Sequence, residues 1–315
     1  MRLAFVVDPL GSLKAYKDSS VAMMREAARR GHEVHALEAS SMYVDGGTVR
    51  ARVQRLEVTA DNDAWYRAAE ARDARLADFD RVMMRKDPPF DQEYYYATLL
   101  LERAEADGAQ VVNSPRGLRD WNEKLAILRF PSLCPPTLVA SDMAAVHAFI
   151  DTHSDVIVKK LDGMGGTMIF RVTAADPNRN VIVETITDLG RRTIMAQRFI
   201  PEIDKGDKRV LVIDGKPFSH CLARIPKAGE TRGNLAAGGR GVAQPISERD
   251  RAIAETVGKR LVKAGIVFAG LDVIGDYLTE INVTSPTCIV EIAEQAGADA
   301  ARVLLDRLES PALPR

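Results

Sequence analysis

Near the C-terminus, Leu271-Asp272-Val273-Ile274-Gly275-Asp276-Tyr277-Leu278-Thr279-Glu280-Ile281-Asn282 carries oxygen-bearing side chains in a pattern that can bind a hard cation. Read as two strands around Gly275-Asp276, it places Glu280 and Asn282 on one face and Ile281 and Val283 on the other. Two oxygen donors aimed the same way suit Mg²⁺. Asp272 joins them in one register only. A two-residue turn pairs it with Thr279 and turns it away, whereas a three-residue turn, Gly275–Tyr277, pairs it with Glu280. The metal reading therefore predicts the longer turn or a bulge. The alternative is the half-exposed polar face of an antiparallel hairpin.

Upstream, Val158-Lys159-Lys160-Leu161-Asp162-Gly163-Met164-Gly165-Gly166 reads as a strand ending in lysine, followed by a glycine-rich loop. Backbone N–H groups of such a loop can close over phosphates while the lysine neutralises them. It has neither the Gly-Lys-Ser/Thr of a Walker A loop nor a G-x-G-x-x-G fingerprint, and a tight hairpin with a solvated lysine has the same composition. Arg85, Arg209, Arg224, Arg232 and Arg240 stand beside turns or strand ends. Guanidinium groups bind carboxylates bidentately, although each arginine alone is equally a surface salt bridge. Arg232 to Gly241 combines two of these arginines with glycines, as a water-excluding lid or a plain flexible connection would. His32, His35, His147, His153 and His220 lack metal-site spacing and are read as structural, and no G-x-S-x-G elbow supports a serine nucleophile.

These groups need a scaffold. Leu3–Val7 reads as a buried strand, Asp18-Ser19-Ser20 as N-cap residues of a helix over Val21–Arg30, and Glu33–Leu37 as a second strand. Such a strand-helix-strand unit begins an open parallel sheet. Tyr43-Val44 and Val49–Val58 around Gly46-Gly47 read as a hairpin appended to it. Phe79–Met84 is a strand, Asp91 caps a helix to about Ala106, and Gln110–Asn113 is a strand stopped by Ser114-Pro115. The spacing predicts a helix over Leu118–Phe130. After Pro131, alternating strands and helices with several hairpins predict an α+β arrangement rather than a second doubly wound sheet. The expected division is an N-terminal α/β domain over 1–120, a central subdomain over 121–200 and a C-terminal subdomain over 201–315.

The chain has 315 residues, 46% of them apolar, which suffices for about two ordinary cores. Lys and Arg (43) nearly balance Asp and Glu (44), so no overall basic field favours nucleic acid or an anionic membrane. Cys134, Cys221 and Cys288 are far apart and odd in number, which argues for free thiols in a reducing compartment. The apolar run before Asp8 is too short for a secretory segment, and no stretch approaches the ~18 apolar residues of a membrane helix. A cytoplasmic protein without nucleic-acid or membrane partners is expected.

Met84-Arg85-Lys86-Asp87-Pro88-Pro89-Phe90, Leu161–Gly166, Lys208-Arg209-Val210-Leu211, Ala223-Arg224-Ile225-Pro226, Thr231–Gly241 and Thr279–Thr287 together resemble the bacterial-type glutathione synthetases of the ATP-grasp superfamily. The likeness spans essentially the whole chain. It implies an open α/β (pre-ATP-grasp) domain followed by an ATP-grasp fold of two α+β subdomains. It also implies ATP-dependent ligation of γ-glutamylcysteine to glycine through an acyl phosphate, with Mg²⁺ or Mn²⁺. By position in the matching motifs, Lys124 and Lys159 look like the nucleotide-phosphate lysines and Gly163, Gly165 and Gly166 like the phosphate-covering loop. Gln197 and Ile200 would line the adenine edge, Asp207 the ribose, and Asp272, Glu280 and Asn282 the metal. Arg209, Arg224 and Arg240 resemble catalytic contacts, and Arg85, Asp18, Ser19, Arg232 and Asn234 substrate contacts. Lys160 departs from the proline expected after the phosphate lysine. The resemblance further implies a homotetramer. Competing readings are a D-Ala–D-Ala or glutamate ligase of the same superfamily and a non-catalytic ATP-binding module.

Overall fold

The computed structural model describes residues 1–235 and 238–310; Ala236 and Ala237, inside the segment read as a lid, lie outside the described residues. Strand β1 (Arg2–Val6) buries Leu3 to Val6 on both faces, as a central parallel strand requires. Asp18 caps helix α1 (Ser19–Arg29), its carboxylate accepting from the Ser20 and Val21 amides, and β2 (Glu33–Leu37) returns parallel to β1. The hairpin β3 (Met42–Asp45) and β4 (Thr48–Val58) turns at Gly46 and Gly47, both with positive φ. It is not an appendage. β4 pairs antiparallel with β2 through Gln54–Leu56, and its alternate residues Val49, Ala51 and Val53 are apolar and buried. β5 (Tyr66–Ala68) and β6 (Arg72–Arg75) pair with β4 in turn. The fully buried β7 (Arg81–Met84), helix α2 (Gln92–Ala106) capped by Asp91, and β8 (Val111–Val112) complete a sheet of order β3-β4-β2-β1-β7-β8.

The predicted helix over Leu118–Phe130 does not form. Ser114-Pro115 starts helix α3 (Pro115–Asp120) instead of merely stopping a strand, since proline suits the first helical position. The helix then ends because the Asn122 side chain accepts from the Lys124 and Leu125 amides, at 3.2 and 3.0 Å, and competes with helical bonding. A 3₁₀ segment, Leu125–Arg129, follows.

A second, antiparallel sheet runs β11-β10-β12-β9, from β9 (Thr137–Ala140), β10 (Asp155–Lys160), β11 (Ile169–Thr173) and β12 (Ile194–Arg198). Helices α4 (Met143–His153) and α5 (Arg179–Ile186) cover one face, packing on Val156, Val158, Ile194 and Ala196. The two-residue period of a strand therefore turns Ile157, Lys159 and Gln197 to the other face.

The third sheet, β15-β14-β13-β16-β17, contains β13 (Asp207–Ile213), β14 (Lys216–Ile225), β15 (Arg240–Pro245), β16 (Phe268–Ile274) and β17 (Tyr277–Asn282). Helix α6 (Glu248–Lys263) shares a core with Val210, Val212, Leu271, Val273 and Ile281, so the alternate residues Arg209, Asp272, Glu280 and Asn282 belong to the opposite face. Helices α7 (Ile289–Ala296) and α8 (Ala300–Leu308) pack with Leu211, Ile213 and Leu222 and with Leu3, Phe5 and Met24 of the first unit, making the seam a continuous core. Asn113 pins that seam. Its side chain accepts from the Val267 and Phe268 amides and donates to the Phe268 and Val283 carbonyls, at 2.8 to 2.9 Å.

Candidate active site

The free faces of the second and third sheets enclose a cleft of about 710 Å³ lined by Lys159, Gln197, Ile200, Asp207, Arg232, Asn234, Asp272 and Glu280. A recess of about 900 Å³ continues from it, lined by Lys124, Gly163, Gly165, Gly166, Arg209, Arg224, Asn234, Asp272, Glu280 and Asn282.

The metal reading required Asp272 and Glu280 on one face, and the strand register provides it. The turn is the short Gly275-Asp276 form, with Ile274 opposite Tyr277 and Val273 opposite Leu278, and then Asp272 is opposite Glu280. Thr279 is the extra residue of a β-bulge between them. Its hydroxyl donates to the Asp272 carbonyl at 3.1 Å, and its own carbonyl accepts from Lys159 Nζ at 3.3 Å. One inserted residue thus sets the acidic pair and fastens the lysine of the facing sheet. Thr279 was not singled out from the sequence; the requirement for a bulge was the signal that pointed to its place.

Asp272 is buried between two arginines. Arg209 Nε donates to it at 2.6 Å and Arg224 Nη2 approaches at 2.9 Å. Burial pushes the Asp272 carboxyl up, but the two guanidiniums outweigh it and hold the group well below the usual carboxylate range. Arg224 also donates to Asp207 at 2.5 Å, leaving Asp207 Oδ1 buried without a hydrogen-bond partner. Burial, aided by the neighbouring Asp272 and against the pull of Arg224, raises the Asp207 carboxyl. Lys159 is shifted down by burial, with Glu280 opposing and Lys124 adding to the effect. Lys124 Nζ donates to the Gly163 carbonyl at 2.5 Å and stands 3.3 Å from Glu280 Oε1, tying the glycine loop to β17. Gly165 and Gly166 have positive φ, and a Cβ on Gly166 would lie 2.9 Å from Asn234 Oδ1, so the two loops meet there and a larger residue would have to displace the Asn234 side chain.

Four expected site residues lie elsewhere. Arg85 is buried in the seam, donating to Ser20 Oγ and the Pro286 carbonyl, one layer behind the recess wall formed by Ser285 and Thr287. Asp18 caps α1, and Ser19 Oγ accepts from the Ile289 amide at the same seam. Arg240 is exposed at the start of β15 and lines neither cavity. Arg232 does line the cleft, but its guanidinium pairs with Glu230 at 3.0 Å.

The donor set suits a hard cation. Asp272, Glu280 and Asn282 offer oxygen only, and among the described residues no group of three or more His, Cys, Asp and Glu could hold an ion by itself. A few protein oxygens completed by phosphate and water is how Mg²⁺ is usually bound. The orphaned Asp207 Oδ1 fits a hydroxyl donor in the cleft, and the tight Gly165-Gly166 turn fits a close approach of phosphate.

The fold is that of the ATP-grasp ligases. The chain superposes on D-cycloserine synthetase DcsG with a TM-score of 0.69 at 17% identity, covering 98% of this chain and 100% of that one. It matches the ATP-grasp ligase PsnB, solved with precursor peptide PsnA2 and AMPPNP, with a TM-score of 0.62 at 19% identity over 97% and 95%. At such identities the likeness is one of fold. Residues 1–119 match the N-terminal domain, and residues 123–297 the ATP-grasp domain, of prokaryotic glutathione synthetase. The glutathione synthetase of Bordetella parapertussis is 56% identical over 99% of this chain and 100% of its own, and that of Salmonella typhimurium 52% identical over 98% of each. The chain belongs to the prokaryotic glutathione synthetase family, and it is an ATP-dependent ligase.

Proposed function

We propose that this protein ligates γ-glutamylcysteine to glycine, converting ATP to ADP and phosphate, with Asp272, Glu280 and Asn282 as its metal ligands. The observation that carries the site assignment is the Thr279 bulge, which sets Asp272 opposite Glu280 beside Lys159 and Lys124. Gln197 and Ile200 flank the base, Asp207 accepts from the ribose, and Gly163, Gly165 and Gly166 cover the phosphates. Bound there, Mg²⁺, with Mn²⁺ as an alternative, would neutralise charge on the transferring phosphoryl oxygens.

In the first step a carboxylate oxygen of the dipeptide's cysteinyl group bonds to the γ-phosphorus as the bond to the bridging oxygen breaks and ADP leaves. Lys124 and Lys159 neutralise the phosphates and hold them in line, which is most of what phosphoryl transfer asks of a protein. In the second, the glycine amine attacks the acyl carbon to give a tetrahedral adduct, its proton passes to water, and the bond from that carbon to the phosphate oxygen breaks so that inorganic phosphate departs. Arg209 and Arg224 provide positive charge to the carboxylate, acyl phosphate and tetrahedral oxyanion. The segment from Arg232 to Gly241 excludes water from the acyl phosphate.

The remaining assignments belong to the same reading: domains over 1–120, 121–200 and 201–315, a cytoplasmic homotetramer, roles for Arg85, Asp18 and Ser19 in substrate binding, and a catalytic role for Arg240. For the last four, movement on substrate binding is required, because none lines the cavities. No helix is long and apolar enough to cross a membrane among the described residues. The test is phosphate release from ATP and Mg²⁺ with γ-glutamylcysteine, with and without glycine, alongside mass detection of the tripeptide. One phosphate per glutathione, dependent on both substrates, is expected. Release only with other amino-acid pairs would reject the substrate assignment.

A further inference from the structure

Glu123, immediately before Lys124, grips the end of β17 with both its backbone and its side chain. Its carbonyl accepts from the Ile281 amide at 2.9 Å. Its carboxylate Oε1 accepts from the Val283 amide at 3.0 Å, the Thr284 amide at 3.1 Å and the Thr284 hydroxyl at 2.8 Å. These bonds alternate along the strand with Glu280 and Asn282, which line the recess. Lys124 has no regular helix to hold it, because the chain leaves α3 at Asp120 and the next 3₁₀ turn starts only at Leu125. We propose that Glu123 is a positioning residue whose reach, not its charge, holds Lys124 at its working distance from Glu280 and Asn282. This rests on the assignment of Lys124 to the nucleotide phosphates.

A displacement of about 1 Å at a catalytic group can cost about 10²-fold in rate. One oxygen that accepts three bonds from two consecutive residues fixes the distance between segments more tightly than the Lys124–Glu280 contact, which is 3.3 Å long and joins two flexible side chains. A glutamine retains an acceptor oxygen at the same reach, whereas an aspartate keeps the charge and is shorter by one methylene, about 1.5 Å of bond length.

The test compares Glu123→Gln, Glu123→Asp and Lys124→Met in the full-length protein. Readouts are kcat, KM for each substrate, and ATP affinity by calorimetry without divalent metal. The glutamine variant is expected to retain kcat and ATP affinity within about threefold. The aspartate variant should lose about 10²-fold in kcat and about tenfold in ATP affinity, with KM for γ-glutamylcysteine unchanged. Thr284→Val should lower kcat severalfold in the wild-type background and have little further effect beside Glu123→Asp, as coupled partners do. An active aspartate variant beside an inactive glutamine one would show that charge is what matters and overturn the proposal. So would equal behaviour of the two, whether near wild type or equally impaired. Unchanged ATP affinity in Lys124→Met would instead overturn the reading of Lys124 itself.

Discussion

Replacing Glu280 by glutamine keeps the side chain's size and removes one negative charge, and the structure allows the two consequences to be separated. Glu280 Oε1 stands 3.3 Å from Lys124 Nζ, with side-chain exposures of 20% and 6%. At an effective dielectric constant of ~20, two unit charges at that separation attract by about 5 kcal/mol. Most of this is not lost on folding stability, since the desolvation cost of Glu280 disappears with its charge and Lys124 keeps the Gly163 carbonyl. The net cost lies between the ~1 kcal/mol of an exposed pair and the ~3–5 kcal/mol of a fully buried one, and we take about 2 kcal/mol. That corresponds to a fall in Tm of about 3 °C in a chain of this size. Turnover should fall far more. Loss of a charged metal ligand is expected to lower kcat at least ~10³-fold, about 4 kcal/mol in the transition state. Thermal denaturation and glutathione formation at saturating ATP measure the two effects. A well-folded Glu280→Gln protein with kcat within about tenfold of wild type would refute the metal assignment.

Asp272→Asn should cost about 3–5 kcal/mol of stability, because Arg209 is left buried without its carboxylate partner. The Asp272 carboxyl is held low in the folded chain, so its contribution is complete above the ordinary value of 3.8 and is lost as pH falls below it. The acid limb of the stability curve, measured by urea unfolding between pH 5 and pH 3, should therefore be shallower in Asp272→Asn; an unchanged slope would contradict the assignment. Gly166→Ala combines an unfavourable φ of 83° with a Cβ 2.9 Å from Asn234 Oδ1, and should raise KM for ATP about tenfold and lower Tm by about 2–4 °C. Shortening the segment between Arg232 and Gly239 should uncouple the reaction, phosphate appearing faster than tripeptide, and unchanged coupling would show that the segment is not the water barrier.

The site was legible where chemistry and strand periodicity coincide. Glu280 and Asn282 had to share a face, and bringing Asp272 to it demanded either a longer turn or a bulge; the choice between them depends on the bonds of the Thr279 backbone and hydroxyl, which turn composition does not encode. Lys159 was readable as the end of a strand, whereas Gln197 entered only through the family resemblance; in the sheet both alternate with buried apolar neighbours. The breakdown came at Asn122, where a side chain bonding its own backbone cuts an apolar pattern that otherwise continues to Phe130. β4 was misplaced as an appendage because a hairpin signal is local, whereas its pairing with β2 is set by burial across the sheet. Arg85 and Arg240 show the limit for charged residues. Composition gives them the same promise as Arg209 and Arg224, yet only tertiary pairing decides which guanidinium meets Asp272.

The most direct test is an experimental structure with Mg²⁺ and a non-hydrolysable ATP analogue. The account predicts a cation in the recess, with oxygens of Asp272, Glu280 and Asn282 at ~2.0–2.1 Å and the remaining positions filled by phosphate and water. A cation bound elsewhere, with Asp272 still clasped by Arg209 and Arg224 and Glu280 still on Lys124, would contradict it.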